Sequence, residues 1–425
     1  MAIPGAFRLG ATSRLLPASV PLRFFGAAIA YHLLAWLALW AGADGFVRFA
    51  AAPGWPLAAL HLVTLGVLVM TAIGASLQLL PVATRQPLRS TLWPAAIWWL
   101  YTPGVAAIAL GMGRGPPWLL AAGALAVALA LLAFAAMLAL NLRAARGMPE
   151  VVAHGWAAWA SLGVVLASAL GLVLGWLGLP GPDRAALLAL HVAFGAYGFM
   201  GLLALGLSCI LVPMFALAAT PDRRQSIASC GFAAAALTLA AVAALGNAPQ
   251  PLRIGAIALG GVAVALHLRL MQGALRSGMR RELGRSFLLV RVGWASLVAS
   301  LGLALALVLE APLARLPTLF GLVLVGGWLL SFLLGILQRI LPFLASMHAA
   351  RGALRPPTPS ALSADRPLAL HFACHLAALA GLGLAIVADS AALAAVAAAI
   401  GALGAAAFGV FFVILLRRMN APRAA

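Results

Sequence analysis

Eight histidines stand in a chain of 425 residues that is 65% apolar and only 8% charged. Neutral imidazole ligates transition metals and haem iron without burying a net charge, so it suits chemistry in so apolar a setting. His61 and His191 are each followed nine residues later by a methionine, Met70 and Met200. In LHFACHL, His371, Cys374 and His375 occupy positions i, i+3 and i+4 and so project from one helical face. Imidazoles one turn apart with a thiol between them suit a soft metal such as copper or zinc, or one of them can ligate haem. His32, in AYHLLAW, is predicted to lie near mid-membrane. His154, His267 and His348 fall near predicted helix ends, where solvated or interfacial roles are ordinary. For any one buried histidine the commoner arrangement is a ring hydrogen-bonded to a carbonyl or hydroxyl, and Cys374 has its own alternative as a small packing group.

The elements that must position these residues are membrane-spanning helices. Apolar runs near the ~20 residues needed to cross hydrocarbon occur twelve times, at roughly 22–43, 56–82, 91–112, 117–142, 151–178, 184–217, 227–246, 252–275, 287–309, 317–345, 367–388 and 391–416. They do not alternate as the strands of a barrel would. The net charge of +19 would point to nucleic acid in a soluble chain, but here it reports orientation. All the basic residues are arginines, gathered in alternate loops: Arg8, Arg14 and Arg23, then Arg85 and Arg89, Arg143 and Arg146, Arg223 and Arg224. The series continues with Arg276, Arg280, Arg281 and Arg285, Arg351 and Arg355, and Arg417 and Arg418, while the opposite loops hold single arginines at 48, 114, 184, 253 and 315. Basic loops stay in the cytoplasm, which predicts cytoplasmic termini in a bacterial-type inner membrane, with no cleavable leader ahead of the first span. Residues 1–425 read as one twelve-span domain with a flexible cytoplasmic loop at about 349–366. The expected partner is the lipid bilayer and not nucleic acid.

A repeat links the second, sixth and tenth spans. GASLQLLP runs from Gly74 to Pro81, GLSCILVP from Gly206 to Pro213 and GILQRILP from Gly335 to Pro342, with glycine and proline seven apart each time. The three spans stand four helices apart, so the twelve helices read as three repeats of four. With 44 Gly and 26 Pro in the chain, coincidence is the competing account.

Three four-helix units about a pseudo-threefold axis resemble subunit I of the haem-copper oxidases. The second-span pattern of His61, Gly66, Gly74 and Pro81 is similar to the NnrS-type haem and copper membrane proteins. That resemblance implies a b-type haem, with His61 as its first ligand and His191 as second candidate, and it leaves copper open. His32 is a further axial candidate, because in that fold the first, second, eleventh and twelfth helices share one arc. Depth separates His371 and His375 from His61 by ~15 Å at 1.5 Å per residue, which favours two sites or a staged path over one cluster.

Departures from the oxidase pattern are equally informative. The tenth span, GLVLVGGWLLSFLLGILQRILP, has no histidine, the seventh lacks a His-His pair, and the position four residues after His191 is Gly195. All eight acidic residues lie in loops or at span ends, where they cannot relay protons through hydrocarbon. An oxygen-reducing binuclear centre and a carboxylate-based proton pump are therefore not expected, and whether any reaction is catalysed stays open. The resemblance implies a haem-binding protein in nitric oxide or copper-linked respiratory physiology, with a respiratory or copper-handling protein as partner. The alternatives are a copper or haem transporter or assembly factor using a His/Met/Cys path, and a subunit whose histidines only pack.

Overall fold

The computed structural model describes residues 16–87, 90–246, 248–349 and 357–421. Among the described residues the chain is all helical, and twelve helices are long and apolar enough to cross a membrane. They are α1 (Ser19–Ala41), α2 (Trp55–Thr84), α3 (Leu92–Gly113), α4 (Pro117–Arg143), α5 (Pro149–Trp176) and α6 (Arg184–Ala216). The second half comprises α7 (Arg223–Leu245), α8 (Gln250–Ser277), α9 (Gly284–Val308), α10 (Leu316–Ala349), α11 (Asp365–Val387) and α12 (Ala391–Asn420). Runs of Ala and Leu favour helix, and in hydrocarbon a helix satisfies its own backbone, so apolar length alone sets these elements. Aspartates mark two of the starts, where Asp183 and Asp222 accept from the amides of Ala186 and Gln225.

α2, α6 and α10 meet in the interior: the middle of α10 touches the middles of α2 and α6, and the C-terminal halves of α2 and α6 touch each other. In their most apolar stretches, α1, α2, α6 and α10 are at least half buried and the other eight helices less than half. α1 packs on α2, α5 on α6 and α9 on α10; α3 pairs with α4, α7 with α8 and α11 with α12; α12 closes on α1, α4 on α5 and α8 on α9.

The three interior helices are not uniform α-helices. Each passes through a π-helical segment, Leu62–Val69 in α2, Ala193–Leu202 in α6 and Leu322–Leu330 in α10. Such segments are rare and concentrate at functional sites. Each contains a glycine eight residues before the glycine of the Gly-to-Pro motif: Gly66, Gly198 and Gly327.

All six glycines are points of close helix approach, as small residues are in membrane bundles. A Cβ on Gly66 would stand 2.7 Å from Tyr31 and one on Gly74 2.8 Å from Phe24, both on α1. On α6, Gly198 and Gly206 would meet Ser161 at 2.8 Å and His154 at 2.6 Å, both on α5. On α10, Gly327 would meet Ser296 at 2.8 Å and Gly335 the Ser286 carbonyl at 2.5 Å, both on α9.

Each motif ends on a proline inside the helix, which frees the carbonyl four residues earlier. α2 and α6 then stop alike, on a left-handed residue (Arg85, φ 58°; Leu217, φ 54°), with Gln86 and Ala218 donating back to the carbonyls of Pro81 and Pro213. α10 runs on beyond Pro342 to Ala349.

Arginines sort to two ends. At one, the amides of Arg146 and Arg280 bond the last carbonyls of α2 and α6, Thr84 (2.9 Å) and Ala216 (3.1 Å). At the other, Arg48 and Arg315 both reach Asp389, at 2.7 and 2.9 Å, tying together the α1–α2, α9–α10 and α11–α12 connections. Hydrogen bonding to Arg48, reinforced by Arg315, holds the Asp389 carboxyl below the usual carboxylate range.

Arg8, Arg14, Arg89, Arg351 and Arg355 lie outside the described residues. So do residues 350–356 of the loop at about 349–366 expected to be flexible. The described remainder has a short helix, Pro359–Leu362, capped by Thr358, and carbonyls at Ala361 and Ser363 that accept from Arg418.

Candidate functional site

The histidines divide into groups that depth alone does not separate. His61 is the last residue before the π segment of α2, and His191 lies two residues before that of α6. Their rings face each other across the two helices, with centroids 6.4 Å apart and planes 24° from parallel. Both are only half buried although they sit on interior helices. His61 Nδ1 donates to the Leu57 carbonyl at 3.0 Å, because a carbonyl only accepts, and this leaves the Nε2 lone pair free. His191 Nδ1 has no partner.

His61 and His191 are not strict equivalents. Counted from the π-segment glycines, His61 is five residues before Gly66 and His191 seven before Gly198. The shared nine-residue spacing to methionine is therefore out of step with the packing register. The two rings nevertheless converge, because α2 and α6 are neighbours.

His32 does not join that pair. It lies on α1 with its ring edge-on to His371 of α11, centroids 5.9 Å apart, and His371 stacks on His375 at 5.8 Å and 28°. All three are buried, at 2%, 0% and 1% exposure. α1 and α11 both pack against α12, which brings the three rings together.

Their hydrogen bonds assign the tautomers. Trp36 Nε1–H donates to His32 Nε2 at 3.1 Å, so the proton of a neutral His32 is on Nδ1. His371 Nδ1–H donates to the Gly404 carbonyl at 3.2 Å, leaving an Nε2 lone pair. The hydroxyl of Ser331, on α10, donates to the Gly326 carbonyl at 3.0 Å, so it accepts from His375 Nε2–H at 2.8 Å and leaves an Nδ1 lone pair. One N–H donor, on His32, and two lone pairs, on His371 and His375, are then without protein partners.

Cys374 stands apart from this trio. Its Cβ packs on α12, where a Cβ added to Gly404 would lie 2.7 Å away. α12 also receives the His371 ring, at the Gly404 carbonyl and against Phe408, while the His375 ring bonds Ser331 of α10. Among the described residues, no group of three or more His, Cys, Asp and Glu is arranged to hold a metal ion. The grouping of His371, Cys374 and His375 expected from their spacing is therefore not such a group.

Two histidines expected in solvated or interfacial roles are buried within the bundle. His154 and His267 are each 1% exposed and each has an unpartnered Nε2. Their positions along α5 and α8 suggested interfacial depth; what placed them inside was the side of the helix, which hydropathy does not report. His348 is half buried in the last turn of α10. Gln78 on α2 is 1% exposed with neither amide atom partnered, and its sequence signal was a lone amide in an apolar span.

Chemically, the assembled rings offer several neutral lone pairs inside a helical bundle, and within the bundle the nearest acidic group along α5 is Glu150, in its first turn. No protein-family model matches the chain, and no curated protein is significantly similar to it.

Proposed function

We propose that the chain is a haem-binding protein of a bacterial-type inner membrane, built as three four-helix repeats about a pseudo-threefold axis like that of haem-copper oxidase subunit I. The repeat is supported by helix contacts that return every four helices, by three π segments and by the Gly–Gly–Pro pattern beneath them. The arginine-rich end is assigned to the cytoplasm on the basic-loop rule.

The observation that carries the haem reading is the His61–His191 pair. Two imidazoles binding one metal ion from opposite sides at ~2.0 Å place their ring centres about 6 Å apart, and the observed separation is 6.4 Å. His61 also has its other ring N–H on a backbone carbonyl, the arrangement that orients metal-bound imidazoles. His61 would bind through Nε2 and His191 through its unpartnered Nδ1, and the haem would supply a redox-active iron between α2 and α6. The half-buried rings give a group of that size an edge to enter by.

The remaining residues argue for binding without oxygen reduction. α10 presents Phe320 and Leu322 where register with His191 and His61 would need histidine, and α7 carries no histidine. A partner that exchanges electrons or copper fits such a site, in keeping with the NnrS-type resemblance. A His/Met/Cys transport path has less support, since Met70 and Met200 are packed in the core and the Cys374 Cβ is packed against α12.

The test is the absorbance spectrum of protein purified from haem-replete cells. A Soret band that His61→Ala removes and His191→Ala shifts is the expected result. Colourless, haem-free wild-type protein would rule the reading out.

A further inference from the structure

The α4–α5 and α8–α9 connections close on the ends of α2 and α6 in the same way. The amides of Arg146 and Arg280 bond the Thr84 and Ala216 carbonyls. Gly147 and Gly278 press on the Ala83 and Ala216 carbonyls, where a Cβ would stand 2.6 and 2.5 Å away. This clamp is made by backbone atoms, yet the charge placed on it differs. Arg143 ends α4 and Arg146 follows it, whereas Arg276 in the last turn of α8, Arg280, Arg281 and Arg285 at the start of α9 surround the second clamp. Orientation in the membrane is already served by the smaller set.

A fifth arginine reaches the same connection from behind. Arg339 on α10 is half buried; its Nε donates to the Ser286 hydroxyl at 2.7 Å and a terminal N–H donates to the Leu283 carbonyl. The position four residues after the motif glycine is Gln78 on α2 and Ile210 on α6, so the helix architecture does not call for a cation there. Arg281 donates to the Arg276 carbonyl at 3.0 Å, which draws residues 276 and 281 together, and Arg280 lies within electrostatic range of Arg339. Glu282 is the one acid in the connection and is exposed. Among the described residues none of the five arginines is ion-paired. Gathered like charges repel, and these have no protein counter-charge. Beside them two apolar side chains are left bare, Met279 at 72% exposure and Leu288 at 47%.

We infer that the α8–α9 connection, with Arg339 of α10 behind it, binds the headgroup of an anionic phospholipid from the leaflet at the arginine-rich end. Guanidinium groups pair with phosphate oxygens through two parallel N–H donors, and basic pockets between spanning helices take such headgroups. The exposed Arg276, Arg280, Arg281 and Arg285 supply the contacts, while Arg339 holds the backbone at Leu283 and Ser286 and adds its charge. A soluble anion would meet the charges alone; Met279 and Leu288 offer apolar surface to acyl chains.

The site does not depend on the haem reading. Full-length protein in a neutral detergent is titrated with fluorescent phosphatidylglycerol and, separately, fluorescent phosphatidylcholine. Wild type is expected to bind phosphatidylglycerol roughly tenfold or more tightly. Arg276→Gln/Arg280→Gln/Arg281→Gln/Arg285→Gln should abolish that preference and Arg143→Gln/Arg146→Gln should keep it. Equal binding of the two lipids by wild type, a folded fourfold variant that keeps the preference, or a control that loses it as fully would overturn the site. Competition by inorganic phosphate as strong as by unlabelled lipid would overturn the lipid as its occupant. If the fourfold variant fails to fold, a photoactivatable phosphatidylglycerol is crosslinked to wild type and the labelled peptides are mapped. Label concentrated at residues 276–288 supports the site; label spread evenly over the arginine-rich loops overturns it.

Discussion

α2 and α6 can be set beside α10, since all three pass through a π segment, approach their preceding neighbour at two glycines and carry an interior proline. They differ in what they present above the π segment: imidazole on α2 and α6, apolar Phe320 and Leu322 on α10. They differ below it too, where α2 and α6 end one turn after proline and α10 continues. The backbone device is therefore independent of the ligand. A helix can keep this backbone architecture while the imidazoles are confined to two of the three interior helices.

The largest effect that tests this comparison comes from the shared part. Leucine at Gly74, Gly206 or Gly335 drives a side chain into the neighbouring helix, and each is expected to cost about 3 kcal/mol or more, read as a fall in thermal midpoint in detergent. If α10 tolerates Gly335→Leu while the other two do not, the common architecture is broken. Gly195→Ala serves as control, because its Cβ would meet only Val165, at 4.0 Å.

A smaller effect separates the trio from the pair. Ser331→Ala removes the acceptor of His375 Nε2–H in a fully buried place, and an unpaired buried donor costs about 1–3 kcal/mol. The loss should appear in thermal stability while any Soret band persists. A band that vanishes instead would move the haem from α2 and α6 to α1 and α11.

The smallest effect belongs to the loops. Asp389 has its carboxyl held low by Arg48 and Arg315, so the folded protein gains from its ionised form above the ordinary carboxylate range. That gain is lost as the pH falls through the depressed folded value. Asp389→Asn should flatten the acid limb of the stability profile slightly, in low salt more than in high. An unchanged acid limb at low salt would mean that the three connections are held without this ion cluster.

The helices were legible because length and apolarity suffice to specify a span, and every boundary falls within a few residues of expectation. The Gly-to-Pro motif was legible for a similar reason, as a fixed spacing at a fixed helical period. Gly66 was read only within the second-span pattern, and its counterparts Gly198 and Gly327 were missed although their eight-residue offset is visible in the sequence. Hydropathy reports depth and not the direction a side chain takes. His32, grouped with His61 by depth and by the arc that the resemblance implies, meets His371, and His154 and His267, expected in solvated or interfacial roles, turn their faces inward.

The central claim is that α2 and α6 hold a haem between His61 and His191. Its most direct measurement is the visible spectrum of wild type beside His61→Ala, both purified from haem-replete cells and matched for folding. The account predicts a Soret band in wild type that is absent from the variant. A colourless wild type, or a band indifferent to His61, would contradict it.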